Sequence, residues 1–210
     1  MYEHSIDRHS QELSNIERAA LFLEDRRFFI HSGVEFRSIP RLLRRMLRGR
    51  RPGGISTIDQ QVVRIATRKT ERTIGRKTRE MLLAYALNTH SSKRDILYYY
   101  LHNAYFGYKL SGCELASRHI FGCTASDLSY RQACFVASLL PLPLPRQVYE
   151  LCQSGVFSSP CDPSDIFANI QVSKLKWAPR IEFRFNIALQ GQGFTPKSRK
   201  SRKEYEIDSR

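Results

Sequence analysis

Cysteine is scarce in this 210-residue chain: there are five, an odd number, namely Cys113, Cys123, Cys134, Cys152 and Cys161. No two of them have C-x-x-C spacing, so neither a zinc site nor a disulfide framework is indicated. Glycine (11) and proline (9) are too few for a collagenous or low-complexity chain. No stretch approaches the ~20 apolar residues of a membrane span. The N-terminal segment holds no apolar run suited to a signal peptide. The expectation is a soluble or peripheral chain, or a piece of something anchored. Acidic residues are also short: 20 Asp and Glu against 34 Lys and Arg leave a net charge of +14. That surplus points to an anionic partner, whether nucleic acid, an anionic membrane surface or a phosphate-bearing substrate. What is present in quantity is apolar side chain, 41% of residues with 11% aromatic. Wholesale disorder is thereby excluded, and the length suits one domain with a tail.

Helical periodicity dominates. Residues 11–32 read as a helix closed by Gly33, with Leu13, Ile16, Ala20 and Leu23 at helical spacing. Residues 38–48 form a short basic amphipathic segment: Ile39, Leu42, Leu43, Met46 and Leu47 on one side, Arg41, Arg44, Arg45 and Arg48 on the rest. It reads either as an ordinary core-facing helix or as an interfacial one. The run Gly49-Arg-Arg-Pro-Gly-Gly54 breaks the chain. Helices are then expected from Ser56, over about 76–88, from Ser92 and over about 113–120. Ser92 with Asp95, and Ser129 with Gln132, give capping-box signals, and the proline-rich 141–145 stretch ends the Ser129 helix. No strand pattern stands out before Pro145, and 181–189 reads as strand or helix. The last residues, polar and basic, read as a disordered tail.

Four stretches carry chemistry. In Glu24-Asp25-Arg-Arg-Phe28-Phe-Ile-His31-Ser-Gly33, Glu24, Phe28 and His31 would share one helical face, and a carboxylate beside aromatics can act as a general base. Taken alone, Glu24 reads more simply as a surface residue paired with Arg26 and Arg27. The loop from Gly54 through Ser56 and Thr57 to Gln60, Gln61 and Arg64 can offer N–H donors to an anion, or be a plain capped helix start. Arg72, Arg76, Lys77 and Arg79 surround Glu80, a set suited to a pyrophosphate leaving group or to a solvated basic face. The stretch Lys93 to Gly107 reads as an aromatic-rich core helix.

In order and spacing these stretches resemble the peptidoglycan glycosyltransferase family 51, the transglycosylase domain of class A penicillin-binding proteins and of monofunctional transglycosylases. The first family motif looks like E-D-x-x-F-x-x-H-x-G and is met in full. The second, G-x-S-T-[IL]-[ST]-Q-Q, is met by Gly54, Ser56, Thr57, Ile58, Gln60 and Gln61, with Asp59 where Ser or Thr is usual. The third, R-K-x-x-E, is met by Arg76, Lys77 and Glu80. The fourth, K-x-x-I-L-x-x-Y-L-N, is met by Lys93, Ile96, Leu97, Tyr100 and Leu101, with His102 for Asn. Residues 112–122 resemble a further G-x-E-x-A stretch through Glu114. The resemblance covers about 24–145. The family's fifth motif, R-x-x-x-V-L-like, is not recognisable; Arg184-Phe-Asn-Ile-Ala-Leu is a distant echo.

The resemblance implies a mainly α, lysozyme-like glycosyltransferase fold, with a larger head and a smaller membrane-facing jaw. It divides the chain into a glycosyltransferase-like domain at 10–145 (jaw about 36–54), a diverged segment at 146–192 and a basic tail at 193–210. It implies polymerisation of lipid II into β-1,4-linked glycan strands, by inverting transfer from undecaprenyl pyrophosphate. Glu24 would be the general base and Glu80 a second essential carboxylate. Arg64, Arg72, Arg76, Lys77 and Arg79 would contact the lipid-linked pyrophosphate, and Asp25, Ser56, Gln60 and Gln61 would line the donor wall. The implied partners are lipid II, the growing glycan chain, the outer face of the bacterial cytoplasmic membrane and cell-wall synthesis proteins. No cofactor is implied as required. Some members use Mg²⁺ or Mn²⁺, yet no dedicated metal cage can be read here. The competing expectation is a catalytically degenerate member that binds lipid-linked precursor or envelope partners without turnover. A nucleic-acid module has the charge in its favour but no recognised motif, so nucleic acid is not expected as a partner.

Overall fold

The computed structural model describes residues 12–36, 40, 44, 48, 56–68, 73–154, 162–172 and 175–198. The expected jaw helix at 38–48, the Gly49–Gly54 break, Arg72 and the tail beyond 198 therefore lie outside the described residues, apart from single positions within 38–48.

The helices begin where side-chain oxygens meet orphan backbone N–H groups. α1 (Asn15–Glu24) starts in a Ser14–Glu17 capping box, and Ile16, Ala19 and Ala20 give it an apolar stripe. Thr57 caps α2 (Ile58–Thr67), Thr73 caps α3 (Ile74–His90) and Ser92 caps α4 (Lys93–Asn103). Two short antiparallel strands follow, β1 (Tyr105–Gly107) and β2 (Leu110–Ser111). This hairpin corrects the strand-free reading; at three and two residues it is too short to show an alternating pattern. α5 (Cys113–Phe121) and α6 (Tyr130–Ser138) come next, α6 in a full Ser129–Gln132 capping box. α7 (Arg146–Gln153), α8 (Pro163–Val172) and α9 (Ala178–Leu189) complete the described chain.

α6 runs through the middle. Ala133, Cys134, Phe135, Val136 and Ala137 are all fully buried, so no face of this helix meets water along that run. α1 and α9 pack against it, α9 reaching Phe135 through Phe185, and α8 closes over Phe135 through Phe167. A second group forms where α2 packs on α3 and α4. The 181–189 segment is thus helical, and Ile181, Phe185 and Ala188 put it in the same core as α1. Among the described residues no helix is long and apolar enough to cross a membrane.

α1 stops at Glu24, earlier than the periodicity implies. Asp25 leaves helical geometry, and its carboxylate accepts hydrogen bonds from the Ile58 N–H (3.2 Å) at the start of α2 and from His31. Residues 26–33 therefore run as turns. The turn ends on Gly33 at φ +85°, where a Cβ would lie 2.3 Å from the Ala84 carbonyl oxygen of α3. Only glycine allows that approach. It lets Thr57 Oγ1 donate to the Gly33 carbonyl at 2.7 Å, tying the turn to α2.

Candidate active site

α2 gathers the site. Its Gln61 and Arg64 stand three residues apart, hence side by side on one helix surface, ~5–6 Å between their Cβ atoms. Gln61 Nε2 donates to Glu24 Oε2 at 3.1 Å. Arg64 donates to Glu80 through Nε at 3.0 Å and through Nη2 at 3.5 Å. The two glutamates, 56 residues apart in sequence, thus meet neighbouring positions of the same helix.

Glu24 sits at the C-terminal end of α1, largely buried but not sealed, its side chain 13% exposed. One oxygen takes the Gln61 amide and the other the Arg184 guanidinium of α9. The expectation of a shared face with His31 does not hold, because the helix ends first; His31 turns inward to Asp25, with Nε2 and Oδ2 2.9 Å apart. Nor does Glu24 pair with Arg26 or Arg27: Arg26 donates to the Phe22 carbonyl and Arg27 to Glu35.

Glu80 is buried on α3 and ringed by cations. Arg76 pairs with it from one turn back, Arg64 from α2, and the Lys77 ammonium stands 3.7 Å away. Lys77 also reaches Ser56 Oγ at 2.9 Å and the Gln60 side-chain oxygen. Burial pulls the Lys77 ammonium below its ordinary range, Arg64 and Arg76 push the same way, and Glu80 opposes them. Arg79 is exposed, one residue before Glu80. The structure so brings together Glu24, Gln61, Arg64, Arg76, Lys77, Glu80, Ser56 and Gln60. Asp25 is buried behind them, where it holds the start of α2 and not an open wall.

Asp59 is fully buried and accepts from Lys93 Nζ at 2.9 and 3.1 Å and from the Asn88 amide. His31 Nδ1 faces it at 3.8 Å. Ligand atoms of Asp25, His31 and Asp59 lie within 4.8 Å of one another. This set does not fit a resident divalent ion: the Lys93 ammonium already covers both Asp59 oxygens, and Asp25 Oδ2 already takes an N–H. It reads as a pillar joining α2, α3 and α4 beneath the site. Glu114 is likewise a local brace, accepting from the Ala125 N–H at 2.9 Å and pairing with Arg118.

Arg184 and Tyr100 are the site residues the sequence reading passed over as functional. For Arg184 the signal was the 184–189 echo of the fifth motif. Tyr100 falls in a stretch that reads as core, and its ring is, but its hydroxyl donates to Gln61 Oε1 at 2.9 Å.

Comparison with known proteins agrees with this geometry. A family profile described as Transglycosylase matches residues 4–154. The chain is 38% identical over 129 residues to the biosynthetic peptidoglycan transglycosylase of Alcanivorax borkumensis, covering 61% of this chain and 53% of that protein. It is 40% identical over 133 residues to the protein of the same name from a Marinomonas species, covering 63% and 59%. Against penicillin-binding protein 2a of Streptococcus pneumoniae it is 38% identical over 129 residues, 61% of this chain but 17% of that protein. The chain thus spans little more than half of the first two relatives and a small part of the third. With the profile covering well over half of the chain, and two carboxylates, a pair of glutamines and a cation ring gathered around one helix, the chain belongs to the transglycosylase family.

Proposed function

We propose that this chain is a peptidoglycan glycosyltransferase that polymerises lipid II into β-1,4-linked glycan strands. The observation that carries the reading is the convergence of Glu24 and Glu80 on adjacent turns of α2, through Gln61 and Arg64. The names of the transglycosylase relatives support it.

A sugar hydroxyl is a poor nucleophile at neutral pH. Glu24 removes the proton from the acceptor sugar's 4-hydroxyl as that oxygen attacks C1 of the donor sugar. The C1–O bond to the pyrophosphate breaks, undecaprenyl pyrophosphate departs, and configuration at C1 inverts. General-base help of this kind is worth ~10²–10⁴-fold. Charge grows on the leaving pyrophosphate, and Arg64, Arg76 and Lys77 are held cations that meet it, with the exposed Arg79 beside Glu80 joining them. Arg72 joins this set on the strength of its spacing alone. Glu80 draws Arg64, Arg76 and Lys77 to one carboxylate and its charge offsets their mutual repulsion. The names of the transglycosylase relatives favour turnover over a purely binding role.

The substrate's polyprenol tail lies in a bilayer, so the enzyme works at the outer face of the bacterial cytoplasmic membrane. The basic amphipathic 38–48 segment, within the 36–54 jaw, is the part suited to that surface, each Arg adding ~1 kcal/mol near anionic lipid. Other cell-wall synthesis proteins are the expected company. The test is incubation of the purified chain with lipid II in detergent, read as glycan chains of increasing length; failure to extend the substrate contradicts the proposal.

A further inference from the structure

We infer that Tyr100 is a positioning residue for the reaction proposed above: its hydroxyl fixes the Gln61 side-chain amide so that an N–H is aimed at Glu24. The inference rests on that reading of Glu24 as the base.

A glutamine amide has an oxygen end and an N–H end of nearly the same shape, and nothing in its own structure decides which end faces which neighbour. An ionised carboxylate can only accept. A phenol can donate, and a carbonyl oxygen can only accept. At Gln61 both ends are engaged: Oε1 accepts from the Tyr100 hydroxyl at 2.9 Å and Nε2 donates to Glu24 Oε2 at 3.1 Å. Reversing the amide would point an oxygen at the carboxylate, a repulsive contact, so Glu24 selects the N–H end, while the Tyr100 hydroxyl on Oε1 anchors the other end and holds the side chain in place.

Tyr100 can hold this role because it has little freedom. It is 1% exposed, on the buried side of α4 with Ile96, Leu97 and Leu101. Burial, and secondarily the charge on Glu24, push its phenol well above the ordinary range, so it stays a donor across the working pH. The relay thereby joins three elements: α4 supplies the hydroxyl, α2 the amide and the end of α1 the carboxylate. Tyr100 itself touches no reacting atom. Without its hydroxyl, Gln61 keeps one partner in place of two and can swing, and Glu24 loses a donor held in one place. A base misplaced by even a fraction of an ångström loses rate while substrate binding is untouched.

A double-mutant cycle on the full chain tests this, using lipid II as substrate. Tyr100→Phe is expected to lower kcat about tenfold with KM near wild type, the signature of an effect on the reacting geometry. Gln61→Leu removes the amide, and adding Tyr100→Phe to it is expected to change kcat by less than about twofold, since Tyr100 acts only through Gln61. Losses that multiply in the double variant, a rise in KM without loss of kcat, or a Tyr100→Phe enzyme with wild-type kcat overturn the inference. A wild-type chain that makes no glycan sinks the function itself and is told apart by that result. In that event, or should Tyr100→Phe not fold, NMR of the wild-type chain decides the relay. Gln61 side-chain amide protons protected from solvent exchange, with contacts to the Tyr100 ring, support it, and amide protons that exchange at the free rate without those contacts overturn it.

Discussion

Arg184 pairs with Glu24 across 160 residues of sequence, bringing the last described helix onto the proposed base. Its Nε is buried without a hydrogen-bond partner among the described residues, so the guanidinium spends its contact on that carboxylate. Arg184→Ala is expected to keep a cooperative fold and to lower glycan synthesis about tenfold through a less constrained Glu24. A chain ending at Ser154, where the family match stops, is expected to do worse. It strips Ile181 and Phe185 from the core, ~1.5–3 kcal/mol each, and uncovers Phe135. Thermal unfolding followed by circular dichroism should show no cooperative transition for the truncated chain.

Glu80 compensates three cations from inside the protein. Glu80→Ala leaves Arg76 and Lys77, both largely buried, facing Arg64 without the carboxylate that all three share. The expected cost is about 3 kcal/mol, as for other broken buried pairs. Arg64→Ala is expected to cost less, because Arg64 is 36% exposed and Glu80 keeps Arg76 and Lys77. Urea unfolding of the two variants measures the order directly.

Gly33→Ala meets the Ala84 carbonyl at 2.3 Å in a left-handed backbone conformation. The left-handed backbone alone costs ~1–2 kcal/mol for an alanine, and relieving the clash adds to it. A loss of about 2 kcal/mol or more in unfolding free energy is expected, with activity falling too, because the same turn carries the Asp25 and Thr57 contacts that seat α2.

Burial pushes the Cys113 and Cys134 thiols from 9.0 up to about 12. A folded value above the unfolded one means that the folded state holds its protons longer. The stability from these groups is intact below pH 9 and is lost as pH rises from 9 towards about 12. Lys77 and Lys93, both lowered by burial, contribute with the opposite sign over the alkaline range. Urea midpoints are expected to fall above pH 9, and Cys134→Ala to flatten that fall.

Much of this was legible in the residues. Capping boxes at Ser92 and Ser129 located two helix starts, because their partners lie three residues on. The motif spacings picked out Glu24, Gln61, Arg64 and Glu80, which the structure gathers around α2. The end of α1 was not legible: local periodicity runs on past Glu24, whereas Asp25 is drawn off by a backbone N–H at Ile58, a contact of 33 residues' separation. The Tyr100 relay and the Arg184 pairing were hidden for the same reason, since each joins side chains from helices far apart in sequence. Asp59 looked like a misplaced carboxylate in a substrate-binding stretch. It is a buried partner for Lys93, and only the packing of α4 on α2 reveals that.

Glu24→Gln keeps the size of the side chain and removes its basicity. In a lipid II polymerisation assay against wild type, glycan formation is expected to fall by at least ~100-fold, with a cooperative unfolding transition retained at a lowered midpoint because Arg184 loses its carboxylate partner. A variant that polymerises lipid II at the wild-type rate takes Glu24 out of the chemistry and contradicts the site as described.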